Sequence, residues 1–154
     1  MTIQNIHATA ISLHHKGVLI RGPSGAGKSL LALLLIDAFL ARGREAMLVA
    51  DDRVDLKASD DCIWLSPPEN IAGLIELRGR GIVRRPHRET VRLDLIVDLV
   101  PALERMPEIN DFRTMLLNRE IARCPVPQVG VIGIEHQRLL IEEALSAIHI
   151  PTGA

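Results

Sequence analysis

Gly22-Pro23-Ser24-Gly25-Ala26-Gly27-Lys28-Ser29 fills every fixed position of the pattern G-x-x-x-x-G-K-[ST], a loop whose backbone amides curl around phosphate groups. A chain with this stretch is expected to place a strand before it and a helix after it. Gly17-Val18-Leu19-Ile20-Arg21 is a short apolar run suited to a buried strand. Ser29 to Arg42 is apolar almost all round and stops at Gly43, which predicts a buried helix. Inward-pointing N–H groups and the positive end of the helix dipole would meet a triphosphate together. Lys28 would reach the β- and γ-phosphates, and the Ser29 hydroxyl would bind Mg²⁺.

The rest of the chain has to build a core around that unit. At 154 residues and 47% hydrophobic, it is expected to be one domain spanning residues 1–154. Aromatic residues are only 2%, so Leu, Ile, Val and Ala must fill the interior, and no stacking platform exists for single-stranded nucleic acid. A net charge of −1 argues against coating DNA or a membrane surface. Cys62 and Cys124 have neither zinc-ligand spacing nor a disulfide framework around them. With no secretory leader visible, and the apolar run around Leu30–Ile36 too short for a bilayer, a cytoplasmic soluble protein is expected.

Ile6 to Leu13 alternates loosely, and His14-His15-Lys16-Gly17 can turn it back into the strand before the loop, giving an antiparallel hairpin. Ala46 to Ala50 is a further strand and ends abruptly at Asp51-Asp52, where carboxylates beside a phosphate loop commonly serve metal or nucleophile. If both acids were extended they would point to opposite faces, so only one would meet the nucleotide. Arg53–Lys57 and Cys62–Leu65 read as short strands, Ile71–Leu77 as an apolar segment, and Val91–Val100 as a half-buried strand with Leu93, Leu95, Val97 and Leu99 inward. Pro101 to Pro127 holds four prolines and no clear period, so no element is assigned there. Glu135 to Ile148 has helical spacing, with Leu139, Leu140, Leu145 and Ile148 on its apolar side. Between Arg78 and Arg92 lies a Gly- and Pro-containing basic stretch, read as a mobile flap able to steer an acidic or phosphorylated protein.

Four blocks in order resemble the catalytic domain of HPr kinase/phosphorylase: His7, the loop Gly22–Ser29, the strand end Leu48-Val49-Ala50-Asp51-Asp52-Arg53-Val54, and Glu76-Leu77-Arg78-Gly79-Arg80-Gly81-Ile82. The resemblance implies a phosphate-loop α/β fold, with a mixed sheet and a buried helix after the loop, of the type shared by HPr kinases and PEP carboxykinases. It implies an ATP- and Mg²⁺-dependent kinase that phosphorylates a serine of HPr or an HPr-like carrier of the sugar phosphotransferase system, together with reverse phosphorolysis. By the same resemblance Asp52 is the general base, His7 assists it, Lys28 holds the transferring phosphoryl group, Ser29 and Glu76 bind the metal, and Arg105 serves chiefly dephosphorylation.

Members also assemble as hexamers and carry an additional N-terminal domain; this chain begins close to His7, as in short bacterial forms. The later family loop P-V-[RK]-P-G-R-N has its counterpart in Pro125-Val126-Pro127-Gln128-Val129-Gly130, without the arginines, so the kinase direction is expected to outweigh the reverse. A competing reading is a nucleotide-binding regulatory module whose basic flap reports nucleotide state to a partner protein. A small-molecule kinase or GTPase fits less well, since neither N-K-x-D nor a separate lid is visible.

Overall fold

A computed structural model describes residues 3–68 and 73–148. Its centre is a parallel trio of strands, β3 (Lys16–Arg21), β9 (Val91–Val100) and β11 (Arg119–Pro127), with β9 in the middle. On the β3 side the sheet continues antiparallel through β2 (Thr9–Leu13) to β4 (Ala46–Ala50). At the start of β9 it continues through β6 (Cys62–Ser66) and β5 (Arg53–Ser59) to β1 (Ile3–His7), while β10 (Arg113–Leu116) pairs with β11.

The β2–β3 hairpin closes through His14 and His15, both with positive φ (50° and 66°), the two-residue geometry whose twist matches the strands. Gly17 has no substitute at its place: a Cβ there would lie 2.0 Å from the Arg92 carbonyl oxygen, so only glycine lets β3 approach β9.

One sheet face is covered by helices α1 (Lys28–Ala41) and α2 (Ile134–Ala147), which bury Ile11, Val18, Ile20, Leu31, Leu35, Phe39, Leu95, Val97, Val126 and Ile141. The curl of the sheet closes the other face around Leu19, Val49, Val54, Leu56, Ile63, Leu93 and Ile96. This is why Ile96, on the face of β9 opposite Leu95 and Val97, is buried as well. Helix α1 is not buried all round: Leu30, Leu34 and Leu40 remain about 40% exposed on its outer side (42%, 40% and 41%). On α2, Leu139 faces outward at 64% exposure, and Ile141 and Leu145 make the seam.

The region without a sequence assignment holds a short 3-10 turn (Ile109–Phe112), β10 and β11. Gln128 N–H donates to the Val100 carbonyl, so by strand alternation residues 124 and 126 also face β9 while Pro125 and Pro127 face away. The prolines thus lie beyond the end of the β10 pairing, which stops at Ala122, and no ladder donor is lost.

The expected apolar segment 71–77 begins outside the described residues; Leu74–Leu77 forms β7, which pairs with β8 (Gly81–Arg84) as a separate hairpin. The hairpin is tethered at its base rather than hanging free. Arg85 grips Asp37 of α1 with two hydrogen bonds (2.9 and 3.0 Å), and residues 86–88 add to the edge of β4 through Leu48. Among the described residues no helix is long and apolar enough to cross a membrane.

Candidate active site

Strand β3 delivers the chain into the loop at Gly22, which packs against Leu99 at the end of β9. The loop closes with Ala26 N–H donating to the Pro23 carbonyl (3.1 Å) and with Gly27 at φ 95°, a conformation that favours glycine. Gly27 caps α1, and among the described residues no side chain caps its first-turn amides, which leaves them open to an anion.

Lys28 is buried and folds back over the loop, donating to the carbonyls of Gly22 (2.7 Å) and Pro23 (3.0 Å). Burial pulls its pKa below the usual lysine range, while the charges of Asp52 and Asp51 act in the opposite direction.

At the end of β4 the two acids part company. Asp51 takes hydrogen bonds from Ser29 Oγ (2.7 Å) and Thr9 Oγ1 (3.0 Å) on Oδ1, and from the Glu76 backbone amide on Oδ2 (3.4 Å). Asp52 is not extended, contrary to the expectation that adjacent acids would alternate faces. Its φ is 70°, and Arg53 N–H donates to the Asp51 carbonyl across it (2.8 Å), which makes Asp52 the centre of a γ-turn. Such a turn costs on the order of 1–3 kcal/mol and persists only where its surroundings hold it. Here Ala8 N–H donates to the Asp52 carbonyl (3.2 Å). The side chain is 75% exposed, and its Oδ1 lies 3.0 Å from His7 Nε2, which the β1–β5 register sets opposite Arg53.

Of the residues singled out from the sequence, His7, Lys28, Ser29, Asp52 and the backbone of Glu76 converge at this end of the sheet. The Glu76 side chain is exposed. Arg105 sits in the exposed segment after β9, which leaves the sheet at the same end as the phosphate loop, and among the described residues it makes no side-chain hydrogen bond or ion pair.

Two further groups carry no signal in the sequence. Alternation makes Thr9 part of an apolar strand, yet its hydroxyl joins the Asp51 network. Asp98, at the end of β9, holds Arg21 by two hydrogen bonds (2.7 and 2.9 Å) and Arg123 by one (2.6 Å), stitching the three parallel strands together one residue before the loop. Desolvation works against its charge, but the hydrogen bonds from Arg21 and Arg123, with their charges, hold its carboxyl below the usual range. A cleft of about 450 Å³ lies elsewhere, lined by Leu13, Lys16, Phe39, Arg42, Glu142 and Leu145 at the far end of α1. It shares no residue with this constellation.

The hard oxygens in contact are the Ser29 hydroxyl and the Asp51 carboxylate, and among the described residues no three His, Cys, Asp or Glu side chains cluster as a ready-made metal site. That chemistry fits Mg²⁺, which takes one or two protein carboxylates and completes its shell with phosphate and water.

A family model described as the HPr serine kinase C-terminal domain matches residues 2–148. HPr kinase/phosphorylases of Streptococcus thermophilus and Streptococcus pneumoniae are each 44% identical to this chain over 80 residues, which is 51% of the chain and 24% of the relative. The match therefore spans about a quarter of the length of these relatives (24%). The solved structure of the Hpr(Ser) kinase/phosphatase from Coxiella burnetii superposes with a TM-score of 0.72 at 29% identity, covering 93% of this chain and 88% of that one. The mixed α/β fold expected from the resemblance is the fold observed.

Proposed function

The chain belongs to the HPr serine kinase C-terminal domain family, and from that premise we propose that it is an ATP- and Mg²⁺-dependent protein-serine kinase acting on HPr or an HPr-like carrier. The observation that carries this reading is Asp52: an exposed carboxylate 3.0 Å from His7, next along the chain from the Asp51 that holds Ser29 of the phosphate loop. Phosphoryl transfer asks a protein for position and charge, together with one group that receives the acceptor's proton.

In this reading the loop amides and Lys28 take the phosphates, with Lys28 exchanging the carbonyls of Gly22 and Pro23 for phosphate oxygens. Ser29 and Glu76 would hold Mg²⁺, whose charge would offset that of the phosphates. Asp52 accepts the proton of the incoming serine hydroxyl as its oxygen bonds to phosphorus, and returns it in the reverse direction. His7 fixes which carboxylate oxygen faces the substrate. Arg105 acts chiefly in that reverse reaction, which is the weaker of the two because residues 125–130 lack the family's arginines.

The exposed turn of the β7–β8 hairpin, with Arg78 and Arg80, presents positive charge close to Glu76, and suits an acidic protein face rather than a single strand that would need aromatic stacking. The reading goes with a cytoplasmic enzyme assembled from several copies.

The test is incubation of the purified chain with Mg-ATP and HPr, followed by detection of serine-linked phosphate. Labelled HPr is the expected result. A chain that binds ATP and leaves intact HPr unlabelled is instead a nucleotide-reporting regulatory module.

A further inference from the structure

Thr9 lies on β2 with no solvent exposure, among Ala8, Ala10 and Ile11, all equally buried. Valine has the same shape and would suit that apolar setting, so the hydroxyl needs a reason. Its one side-chain hydrogen bond among the described residues runs to Asp51 Oδ1, the oxygen that also receives Ser29. Three elements therefore meet on one carboxylate: β2 through Thr9, α1 through Ser29, and β7 through the Glu76 amide, the last at a long 3.4 Å.

We infer that Thr9 is a positioning residue for the metal: by anchoring Asp51, it keeps the Ser29 hydrogen turned toward the carboxylate and the Ser29 oxygen lone pairs turned toward Mg²⁺. This rests on the kinase reading above, in which Ser29 is a metal ligand. A hydroxyl oxygen is a good ligand for a hard cation only when its proton has somewhere else to go. Asp51 Oδ1 at 2.7 Å is that place. With Ser29 as its only short donor, the carboxylate is free to turn about its last torsion; the second short donor, from a buried strand, removes that freedom. Partners one step behind a metal ligand commonly change metal affinity by about 10- to 100-fold when removed.

The experiment compares the whole chain with Thr9→Val and Thr9→Ser. Mn²⁺ binding to the protein–ATP complex is followed by the EPR signal of free Mn²⁺, with metal-free ATP binding and thermal melting of the ligand-free protein measured alongside. Thr9→Val is expected to weaken Mn²⁺ binding about 10-fold, with metal-free ATP binding unchanged and a melting temperature close to wild type. Thr9→Ser keeps the donor and restores wild-type metal affinity. Wild-type affinity in Thr9→Val overturns the inference alone, as does a Thr9→Ser variant that binds metal as weakly as Thr9→Val, which would mean packing and not the hydroxyl matters. A wild-type chain that takes up no Mn²⁺ with ATP overturns the metal reading and this inference with it.

Discussion

Strands β2 and β4 are clamped at both ends by the same device, a buried hydroxyl on β2 donating to an acid next to β4. At the end remote from the loop, Ser12 Oγ donates to both oxygens of Glu45 (2.8 and 2.9 Å), which also receives the His15 amide (3.2 Å). His15 Nδ1 lies 3.3 Å from the same carboxylate, and the Arg88 guanidinium 4.0 Å. At the loop end Thr9 meets Asp51, and Ser29 and Glu76 complete the set. The two clamps differ in the residue next along the chain. Glu45 leads straight into β4, whereas Asp51 gives way to Asp52, turned out at φ 70° and left accessible beside His7. A clamped acid gives rigidity; chemistry needs a neighbouring acid that the fold has not consumed.

The two ends separate most widely when the loop lysine is removed. Lys28→Ala is expected to lower phosphoryl transfer at least about 100-fold, as loss of one preorganised charge contact does, with weakened ATP binding by calorimetry. No substitution in the Ser12–Glu45 clamp should approach that effect.

Next in size is the pair Asp51→Asn and Glu45→Gln, each of which turns an acceptor into a donor against donors. Each should cost about 1–3 kcal/mol in urea unfolding, the penalty of a buried polar group left unmatched. Only Asp51→Asn should also lose metal-dependent ATP binding and HPr labelling. Equal activity loss in both variants would mean that the two ends are not distinct.

Smallest is an effect on pH dependence at the loop end. The carboxyl of Asp98 is held below its unfolded value, so its stabilisation is fully present above about pH 4 and is lost as pH falls through the lower, folded pKa. Asp98→Asn should therefore be less stable than wild type at pH 6 and show a shallower loss of stability below about pH 4. The readout is urea unfolding across that range.

How much of the fold and site is legible in the chain depends on where each signal lives. Strands 17–21, 46–50 and 91–100 announce themselves by local apolar runs, and the phosphate loop by its glycines; all lie where expected. Strand β11 does not, because Pro125 and Pro127 suggest a loop unless the register shows that their missing amides face away from β9. The split between Asp51 and Asp52 is hidden for a similar reason. Alternation assumes extended backbone, and the γ-turn at Asp52 exists only because β1 and β5 pair across it, with the Ala8 amide holding its carbonyl. Thr9 is lost among alanines and isoleucine, since nothing local distinguishes a buried threonine from a valine until Asp51 is brought against it. The basic stretch reads as mobile from its glycines and prolines; the Arg85–Asp37 pair that anchors its base joins residues 48 positions apart.

Asp52→Asn is the decisive variant, because it keeps the shape of the turn and removes only the capacity to take a proton. With Mg-ATP and HPr, the variant should bind nucleotide as wild type does and label HPr at least about 100-fold more slowly, the scale of a general base in such a step. Labelling at the wild-type rate would contradict the proposal that this exposed carboxylate strips the acceptor hydroxyl.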